Sequence, residues 1–256
     1  MFFKTKDGTI LHGRMAGCGR TLVIWSPGAG GNTVDAEKWC EPLEDLYGYS
    51  TFSYDLRGQG KSKGLLFDLE NQIRDIEFAI DAAISKMKER GKGPDRVILI
   101  GHSLGAVASL TLGIQDPRLD LVFAISSLYS IEDFMVADKV YNKEEQDKSL
   151  FAIGKRILNK LKKPISSPWW FKQFINIVSG GKTLLMPKYH LTDELIKKVY
   201  LIHGTEDEYV PFEKSAKHII EKYNLSKDRY LLIDAGHSFQ DPEKVKEIIA
   251  WIHSKI

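Results

Sequence analysis

The sequence predicts an α/β protein in which a mostly parallel central sheet is covered by helices on both faces. Continuously apolar segments of strand length alternate with segments whose apolar residues recur at helical spacing. The connections between them are short, which favours parallel strands linked by helices. With 256 residues, the chain is long enough for one large domain of this class, or for one domain that carries an insertion.

The N-terminal half begins with a predicted hairpin and then follows the alternating pattern. An Asp-Gly pair at residues 7–8 is typical of a two-residue turn between strands at 2–6 and 9–15. The further elements predicted in this half are a strand at 21–25, a helix at 34–47, a strand at 49–54, an amphipathic helix at 68–90, a strand at 96–101 and a helix that begins at Leu104.

The C-terminal half contains a long interruption of this pattern. Between a strand at 119–125 and its resumption, the chain carries charged helical patches and a group of aromatic residues. Such a stretch is too long for a plain loop and predicts a helical insertion. We therefore assign residues 1–126 and 196–256 to an α/β core and residues 127–195 to a helical cap. The later core elements are a strand at 198–202, a helix at 211–223, a strand at 229–233 and a closing helix at 242–254.

Composition and charge argue against several classes of protein. The net charge is +2 without a segregated basic arm, so a nucleic-acid partner is not expected. Stable membrane insertion is not expected either, because no apolar run approaches the ~18 residues of a membrane span and the N-terminal segment does not resemble a signal peptide. Cys18 and Cys40 lie far apart and outside any CxxC spacing, which favours reduced thiols in a cytoplasmic protein. The oligomeric state is left open, with a homodimer as one alternative.

The most informative motif lies between the strand at 96–101 and the helix that follows it. Gly101-His102-Ser103-Leu104-Gly105 is a Gly-x-Ser-x-Gly pattern in the strand–helix context of a nucleophile elbow. In such an elbow the turn is so tight that the serine is strained and side chains are excluded at both glycines. The strain holds the hydroxyl clear of the sheet, where a base can reach it. The alternative is an ordinary glycine-flanked serine in a strand–helix loop.

A serine nucleophile needs a base, usually histidine, that a carboxylate orients. Two later loops supply candidates at the carboxyl ends of predicted strands. One loop contains Glu206, Asp207 and Glu208, and the other contains His237. The residues alone leave the choice among the three carboxylates open. The order serine, acid, histidine along the chain matches that of one fold class.

Three motifs together resemble the α/β-hydrolase superfamily. They are Gly-His-Ser-Leu-Gly at 101–105, His-Gly-Thr-Glu-Asp-Glu-Tyr-Val-Pro at 203–211 and Gly-His-Ser-Phe at 236–239. Within the superfamily, the motifs are most similar to those of monoacylglycerol lipases, lysophospholipases and cinnamoyl (feruloyl) esterases. The resemblance implies an α/β-hydrolase fold and a catalytic triad, with Ser103 as the nucleophile, Asp207 as the acid and His237 as the base.

The resemblance also assigns an oxyanion hole. Acyl transfer builds negative charge on a carbonyl oxygen, and backbone N–H groups stabilise that charge. By similarity to the family's His-Gly-x-Gly loop, Pro27-Gly28-Ala29-Gly30 supplies one N–H through Ala29, and Leu104, directly after the serine, supplies the other. Pro27 stands where the family commonly has histidine. The alternative is a flexible glycine-rich turn, and a phosphate-binding loop is disfavoured because no GxxxxGK[ST] spacing is present.

Other polar and aromatic residues are interpreted as scaffold or as candidates for substrate contact. Asp55 and Arg57 belong to a segment that resembles a family signature that braces the active-site face, and we interpret them as scaffold. Trp169 and Trp170 lie in the predicted cap and are candidates for substrate contact, with packing inside the cap as the alternative. The histidines outside the three motifs lack the spacing of metal ligands, so no metal is expected.

These patterns predict a serine hydrolase that cleaves carboxylic esters with a hydrophobic acyl or aryl portion through an acyl-enzyme intermediate. The mechanism requires no metal or cofactor, and the expected partner is a small-molecule ester. Two alternatives stay open, a peptidase or amidase of the same superfamily and a non-catalytic ligand-binding member. The second alternative predicts that a triad position is replaced, whereas all three are filled in this sequence.

Overall fold

The computed structural model describes residues 1–65, 68–91, 93–130 and 185–256. In these residues the chain forms an eight-stranded sheet with the strand order β1-β2-β4-β3-β5-β6-β7-β8. The strands are β1 (Phe2–Lys4), β2 (Ile10–Ala16), β3 (Thr21–Ser26), β4 (Ser50–Tyr54), β5 (Arg96–His102), β6 (Leu121–Ile125), β7 (Val199–Gly204) and β8 (Tyr230–Ile233).

The sheet is mostly parallel, as the sequence predicts. β1 and β2 form an antiparallel hairpin that joins β4, and all pairs from β4 to β8 are parallel. The register aligns the ends of neighbouring strands, with Ser26 opposite Gly101 and His102 opposite Ile125. The loops that follow β3, β5, β6 and β7 therefore meet at one edge of the sheet, where the carboxyl ends of parallel strands gather functional groups.

Helices cover both faces of the sheet because successive strand residues point to opposite sides. The described helices are α1 (Glu37–Tyr47), α2 (Leu69–Glu89), α3 (Leu104–Thr111), α4 (Pro187–His190), α5 (Ala216–Lys222) and α6 (Pro242–His253). On β3, Leu22 and Ile24 pack in one apolar cluster with residues of α2, α3 and α5, while Val23 and Trp25 pack in the other with residues of α1 and α6. Each fully buried apolar side chain contributes about 1.5–3 kcal/mol relative to an exposed one.

Two helices differ from the sequence-based expectation at their N-terminal ends. α1 begins at Glu37 rather than at Val34, because the side-chain oxygen of Asn32 accepts the N–H groups of Val34 and Asp35 in a turn. The helix expected at 211–223 is split into a 3₁₀ turn, Phe212–Lys214, and α5. The break lies at Ser215, whose backbone has φ −137° and ψ −94° and whose hydroxyl donates to the carbonyl of Pro211.

Most of the predicted cap, residues 131–184, lies outside the described residues, so the domain boundaries stay a prediction. Its described ends contain α4 and the beginning of a 3₁₀ turn, Leu195–Lys198. Among the described helices, none combines the length and the apolar character that crossing a bilayer would require.

The loop after β4 is tied to two other parts of the fold by a buried arginine. Arg57 is 3% exposed, and its guanidinium donates two hydrogen bonds to Asp75 on α2, at 2.8 and 2.6 Å. A third bond, of 2.8 Å, reaches Asp7 in the turn of the β1–β2 hairpin. These contacts fit the interpretation of Arg57 as scaffold, since they link the hairpin, the loop and α2.

We expect Arg57→Met to lower the free energy of unfolding by about 3–5 kcal/mol, because it leaves the carboxylate of Asp75 buried without its partner. Chemical denaturation measures the difference. Arg74→Met is the matched control, because Arg74 is an exposed α2 residue paired with Glu70 at 3.3 Å, and its loss should cost less than about 1 kcal/mol. Equal losses in the two variants would contradict a structural role for Arg57.

Candidate active site

Ser103 lies in the turn between β5 and α3 with a backbone conformation that is unusual for a non-glycine residue. Its φ is 52° and its ψ is −114°. The turn is held by main-chain hydrogen bonds from Ser103 N to Ile125 O (2.9 Å) and from Val107 N to Ser103 O (3.0 Å). This is the strained geometry expected of the elbow.

Steric contacts explain why glycine occupies both flanking positions of the motif. A Cβ at Gly105 would lie 2.0 Å from the carbonyl oxygen of Ser26, and a Cβ at Gly101 would lie 2.4 Å from the carbonyl oxygen of Gly105. Both contacts involve backbone atoms, which cannot move aside without displacing a strand or a helix. A side chain is therefore excluded at both positions.

Ser103, His237 and Asp207 converge in one hydrogen-bonded chain. The Nε2 atom of His237 is 3.0 Å from the Oγ atom of Ser103, and its Nδ1 atom is 2.8 Å from the Oδ2 atom of Asp207. Because an ionised carboxylate only accepts hydrogen bonds, Nδ1 donates to Asp207, and Nε2 of the neutral ring is left to accept the hydroxyl proton of Ser103. The three side chains come from the loops after β5, β7 and β8.

Asp207 is fixed within its own loop, residues 203–211, which we call the aspartate loop. Its Oδ1 atom accepts the N–H groups of Tyr209 (3.0 Å) and Val210 (2.8 Å), and the residue is 4% exposed. Glu206 and Glu208 are exposed, so Asp207 is the carboxylate of this loop that the structure brings to the histidine. Burial alone would raise the pKa of Asp207, but the hydrogen bonds from His237 and Val210 outweigh burial and lower the pKa, which keeps the carboxylate ionised.

The glycine-rich loop after β3 lies directly against the serine turn. A Cβ at Gly28 would be 3.2 Å from the Cβ of Ser103, and the N–H of Gly31 donates to the carbonyl of Gly28 in a tight turn. Neither the N–H of Ala29 nor that of Leu104 donates a hydrogen bond to a described residue. Two backbone donors beside the serine are thus left available to a ligand.

Asp55 braces the segment that follows the glycine-rich loop. Its carboxylate accepts the N–H groups of Thr33 (2.6 Å) and Lys61 (2.8 Å), and it is 3.0 Å from the Nδ1 atom of His12. These contacts agree with the interpretation of Asp55 as scaffold. The contact with His12 is not predictable from the sequence, because nothing there links a histidine of the N-terminal hairpin to this loop.

His237 lies in the loop formed by residues 234–241, which we call the histidine loop. Two side chains from other parts of the fold contact this loop. His102 Nε2 lies 2.9 Å from the carbonyl oxygen of His237. The Nζ atom of Lys38 donates to the carbonyls of Ser238 and Phe239. The contact of Lys38 with this loop is not predicted from the sequence, because no local signal links residues that are separated by 200 positions.

A cavity of about 1270 Å³ lies over the aspartate and histidine loops. Its described lining includes Tyr209, whose ring is 5.4 Å from the ring of His237, and Phe212. Trp169 and Trp170, the candidates for substrate contact, lie outside the described residues.

A serine on a strained turn at the carboxyl edge of a mostly parallel sheet is the arrangement of the α/β-hydrolase class of folds. The model of the alpha/beta hydrolase family matches residues 22–248, and the chain belongs to this family. The superfamily and the fold class expected from the sequence motifs are thereby confirmed. The comparison with curated protein sequences gave no significant match.

Several solved structures have the same fold at low sequence identity. The esterase Pf2001 of Pyrococcus furiosus superposes with a TM-score of 0.65 at 18% identity, covering 99% of this chain and 89% of that chain. The alpha/beta hydrolase domain-containing protein 10 from mouse also has a TM-score of 0.65 at 18% identity, covering 99% and 96% of the two chains. Est1E from Butyrivibrio proteoclasticus, in a structure with bound ferulic acid, has a TM-score of 0.64 at 16% identity and covers 100% and 98%.

The stability of the site should depend on pH through His102. The pKa of His102 is lowered from 6.5 to about 4, mainly by burial, then by the nearby His237 and least by Lys38, while the hydrogen bond to the His237 carbonyl and the charge of Asp207 oppose the shift. Between these two pH values the unfolded chain binds a proton that the folded protein does not, so stability is lost as the pH falls from 6.5 to about 4. The expected loss is about 2–3 kcal/mol.

His102→Gln removes the titrating group but keeps a side-chain donor. We expect the free energy of unfolding of the variant to fall less steeply with acid than that of the wild-type protein, as measured by denaturant titration at several pH values between 6.5 and 4. Parallel curves for the two proteins would show that His102 takes up its proton equally well in the folded and unfolded states.

Proposed function

We propose that this protein is a serine hydrolase that cleaves carboxylic esters through an acyl-enzyme intermediate. The observation that carries the proposal is the continuous hydrogen-bonded chain from Ser103 Oγ through His237 to Asp207, with distances of 3.0 and 2.8 Å. A serine hydroxyl is a weak nucleophile on its own, and this arrangement of base and carboxylate is what activates it.

In the first half of the reaction, Ser103 Oγ attacks the ester carbonyl carbon while His237 Nε2 takes the hydroxyl proton. Asp207 accepts the hydrogen bond from Nδ1, which holds the ring in the required tautomer and stabilises the imidazolium that forms. The C–O bond to the leaving alcohol then breaks, and the proton on Nε2 passes to that alcohol. Ser103 is left esterified by the acyl group.

The negative charge on the carbonyl oxygen is stabilised by the N–H groups of Ala29 and Leu104. Leu104 directly follows Ser103, and Ala29 follows Gly28, which lies against Ser103. Neither N–H has a hydrogen-bond acceptor among the described residues, which is the state that an oxyanion hole requires before substrate arrives. Because the donors are backbone groups, Pro27 in place of the family's common histidine does not remove them.

In the second half, His237 removes a proton from water, and the resulting hydroxide attacks the acyl-enzyme. The carboxylic acid leaves as Ser103 regains its proton from Nε2. Side chains, substrate and water supply every proton and electron pair in this cycle, so the proposed mechanism calls for no metal or cofactor.

The proposed substrates are small-molecule esters with a hydrophobic acyl or aryl portion. Tyr209 and Phe212 place aromatic surface on the described wall of the cavity beside His237. An esterase is among the proteins of similar fold, and Est1E, another of them, binds ferulic acid, a hydroxycinnamic acid. We propose that Trp169 and Trp170 of the cap add to this wall. A cytoplasmic location is also proposed, and it fits Cys18 and Cys40, neither of which forms a disulfide.

Ser103→Ala is expected to abolish both the hydrolysis of nitrophenyl esters and the covalent labelling by a fluorophosphonate probe, because it removes the atom that is acylated. Ser254→Ala, a remote and exposed change, should leave both unaltered. Labelling of Ser103→Ala at the wild-type rate would exclude Ser103 as the nucleophile, and cleavage of amino-acyl amides faster than esters would favour a peptidase.

Asp207→Asn is expected to lower kcat by about 10³–10⁴-fold, because an amide cannot hold the histidine in its reactive tautomer. The matched control is Glu206→Gln, an exposed carboxylate of the same loop, which should keep the wild-type kcat. Steady-state kinetics with a nitrophenyl ester measures both. A larger loss in Glu206→Gln than in Asp207→Asn would reassign the acid.

A further inference from the structure

Three consecutive carbonyl groups of the histidine loop accept hydrogen bonds from two side chains outside the loop. His102 Nε2 is 2.9 Å from the carbonyl oxygen of His237, and Lys38 Nζ is 2.8 Å from that of Ser238 and 3.2 Å from that of Phe239. A carbonyl can only accept, so His102 donates through Nε2–H, and Lys38 uses two of its three ammonium hydrogens.

The histidine loop needs such partners because its backbone is strained at Phe239 and is otherwise tied to a neighbouring loop by one described main-chain hydrogen bond, from Glu206 N to Ala235 O at 3.1 Å. Phe239 has a φ of 45°, which non-glycine residues rarely adopt. Within the loop, the described main-chain hydrogen bond is a turn from Phe239 N to Gly236 O, at 3.3 Å. The Phe239 ring is 1% exposed and contacts the rings of Trp39 and His102 edge-on, at 5.9 and 6.2 Å.

The two donors belong to the parts of the fold that carry the serine and the glycine-rich loop. His102 directly precedes Ser103, and a Cβ at Gly28 would lie 3.0 Å from its Nδ1 atom. Lys38 precedes Trp39 on α1, and Trp39 stacks on Trp25, at the end of β3, with 4.9 Å between ring centroids. The hydrogen bonds therefore join the histidine loop to the same rigid unit that holds the serine.

We propose that His102 and Lys38 are positioning residues that hold the histidine loop at the distance at which His237 Nε2 meets Ser103 Oγ. The inference rests on the proposed function, since it assigns a role in presenting the base to the nucleophile. Neither side chain touches the reacting atoms. Each acts through the backbone of residues 237–239, and a small displacement of that backbone lengthens the hydrogen bond between base and nucleophile.

The decisive variants at His102 are His102→Phe and His102→Gln. Phenylalanine keeps a ring against Trp25 but has no donor, so the carbonyl of His237 loses its partner, and we expect kcat to fall about tenfold with KM unchanged. Glutamine retains an N–H donor of similar reach and should recover most of the lost kcat. A KM increase without a change in kcat would assign His102 to substrate binding instead and overturn the proposal.

Lys38, the exposed one of the two donors, allows a second and independent pair of variants. Lys38→Met keeps the aliphatic stem but removes the ammonium, and it should lower kcat a few-fold, less than His102→Phe because surface interactions are weaker. Lys38→Arg keeps two or more donors and should restore kcat. Lys246→Met removes an exposed lysine of α6 that pairs with Glu243, and it is the control that should not change kcat.

A double-mutant cycle separates positioning from general loss of structure. If His102 and Lys38 act only through the base, His102→Phe and Lys38→Met will not lower the residual turnover of His237→Ala any further. A further loss of the same factor in the His237→Ala background would overturn the proposal. If His102→Phe does not fold, as judged by its thermal melting, the Lys38 variants alone decide the result, because an exposed side chain can be exchanged without disturbing the core.

The same experiments distinguish failure of this inference from failure of the proposed function. A wild-type protein that neither turns over esters nor reacts with the fluorophosphonate probe would remove the proposed function, and this inference with it. An active wild-type protein whose kcat is unchanged by both His102→Phe and Lys38→Met would remove the inference alone.

Discussion

The site depends on one steric constraint, the contact between the backbone of the serine turn and the end of β3. With Gly105 this close to the carbonyl of Ser26, the turn, the glycine-rich loop and the first residues of α3 form a single close-packed unit. The positive φ of Ser103 follows from that packing, because the chain must reverse within a few residues between a buried strand and a buried helix. The remaining parts of the site are placed relative to this unit.

The parallel sheet supplies the other half of the geometry. β5 lies between β3 and β6, and β7 and β8 continue in the same direction, so loops far apart in the chain end at one edge. Hydrogen bonds then fix the positions of the acid and of the base in two different ways. Asp207 is held by amides of its own loop, whereas His237 depends on groups contributed by distant elements.

Much of this arrangement could be predicted from the sequence, because the relevant signals are local. The alternation of apolar strands and helices reflects which residues of each short segment are buried. The glycines around Ser103 reflect the tight turn in which the serine lies. The choice of Asp207 over its neighbours needed a family resemblance, since Glu206 and Glu208 are chemically equivalent candidates until the loop is folded. The contacts of Lys38 and His12 could not be predicted, because they join residues that no periodicity or spacing connects.

Because Asp207 is held by main-chain amides of its own loop, the side chains around it can change without moving its carboxylate. A carboxylate secured by the amides of Tyr209 and Val210 depends on the path of the main chain and not on the identity of those two side chains. Positions around it that line the cavity are therefore open to exchange during evolution or design without dismantling the reaction centre. Under the proposed function, new preferences for acyl or alcohol groups can be explored on the aspartate loop, while the histidine loop, tied to remote partners, has much less freedom to vary.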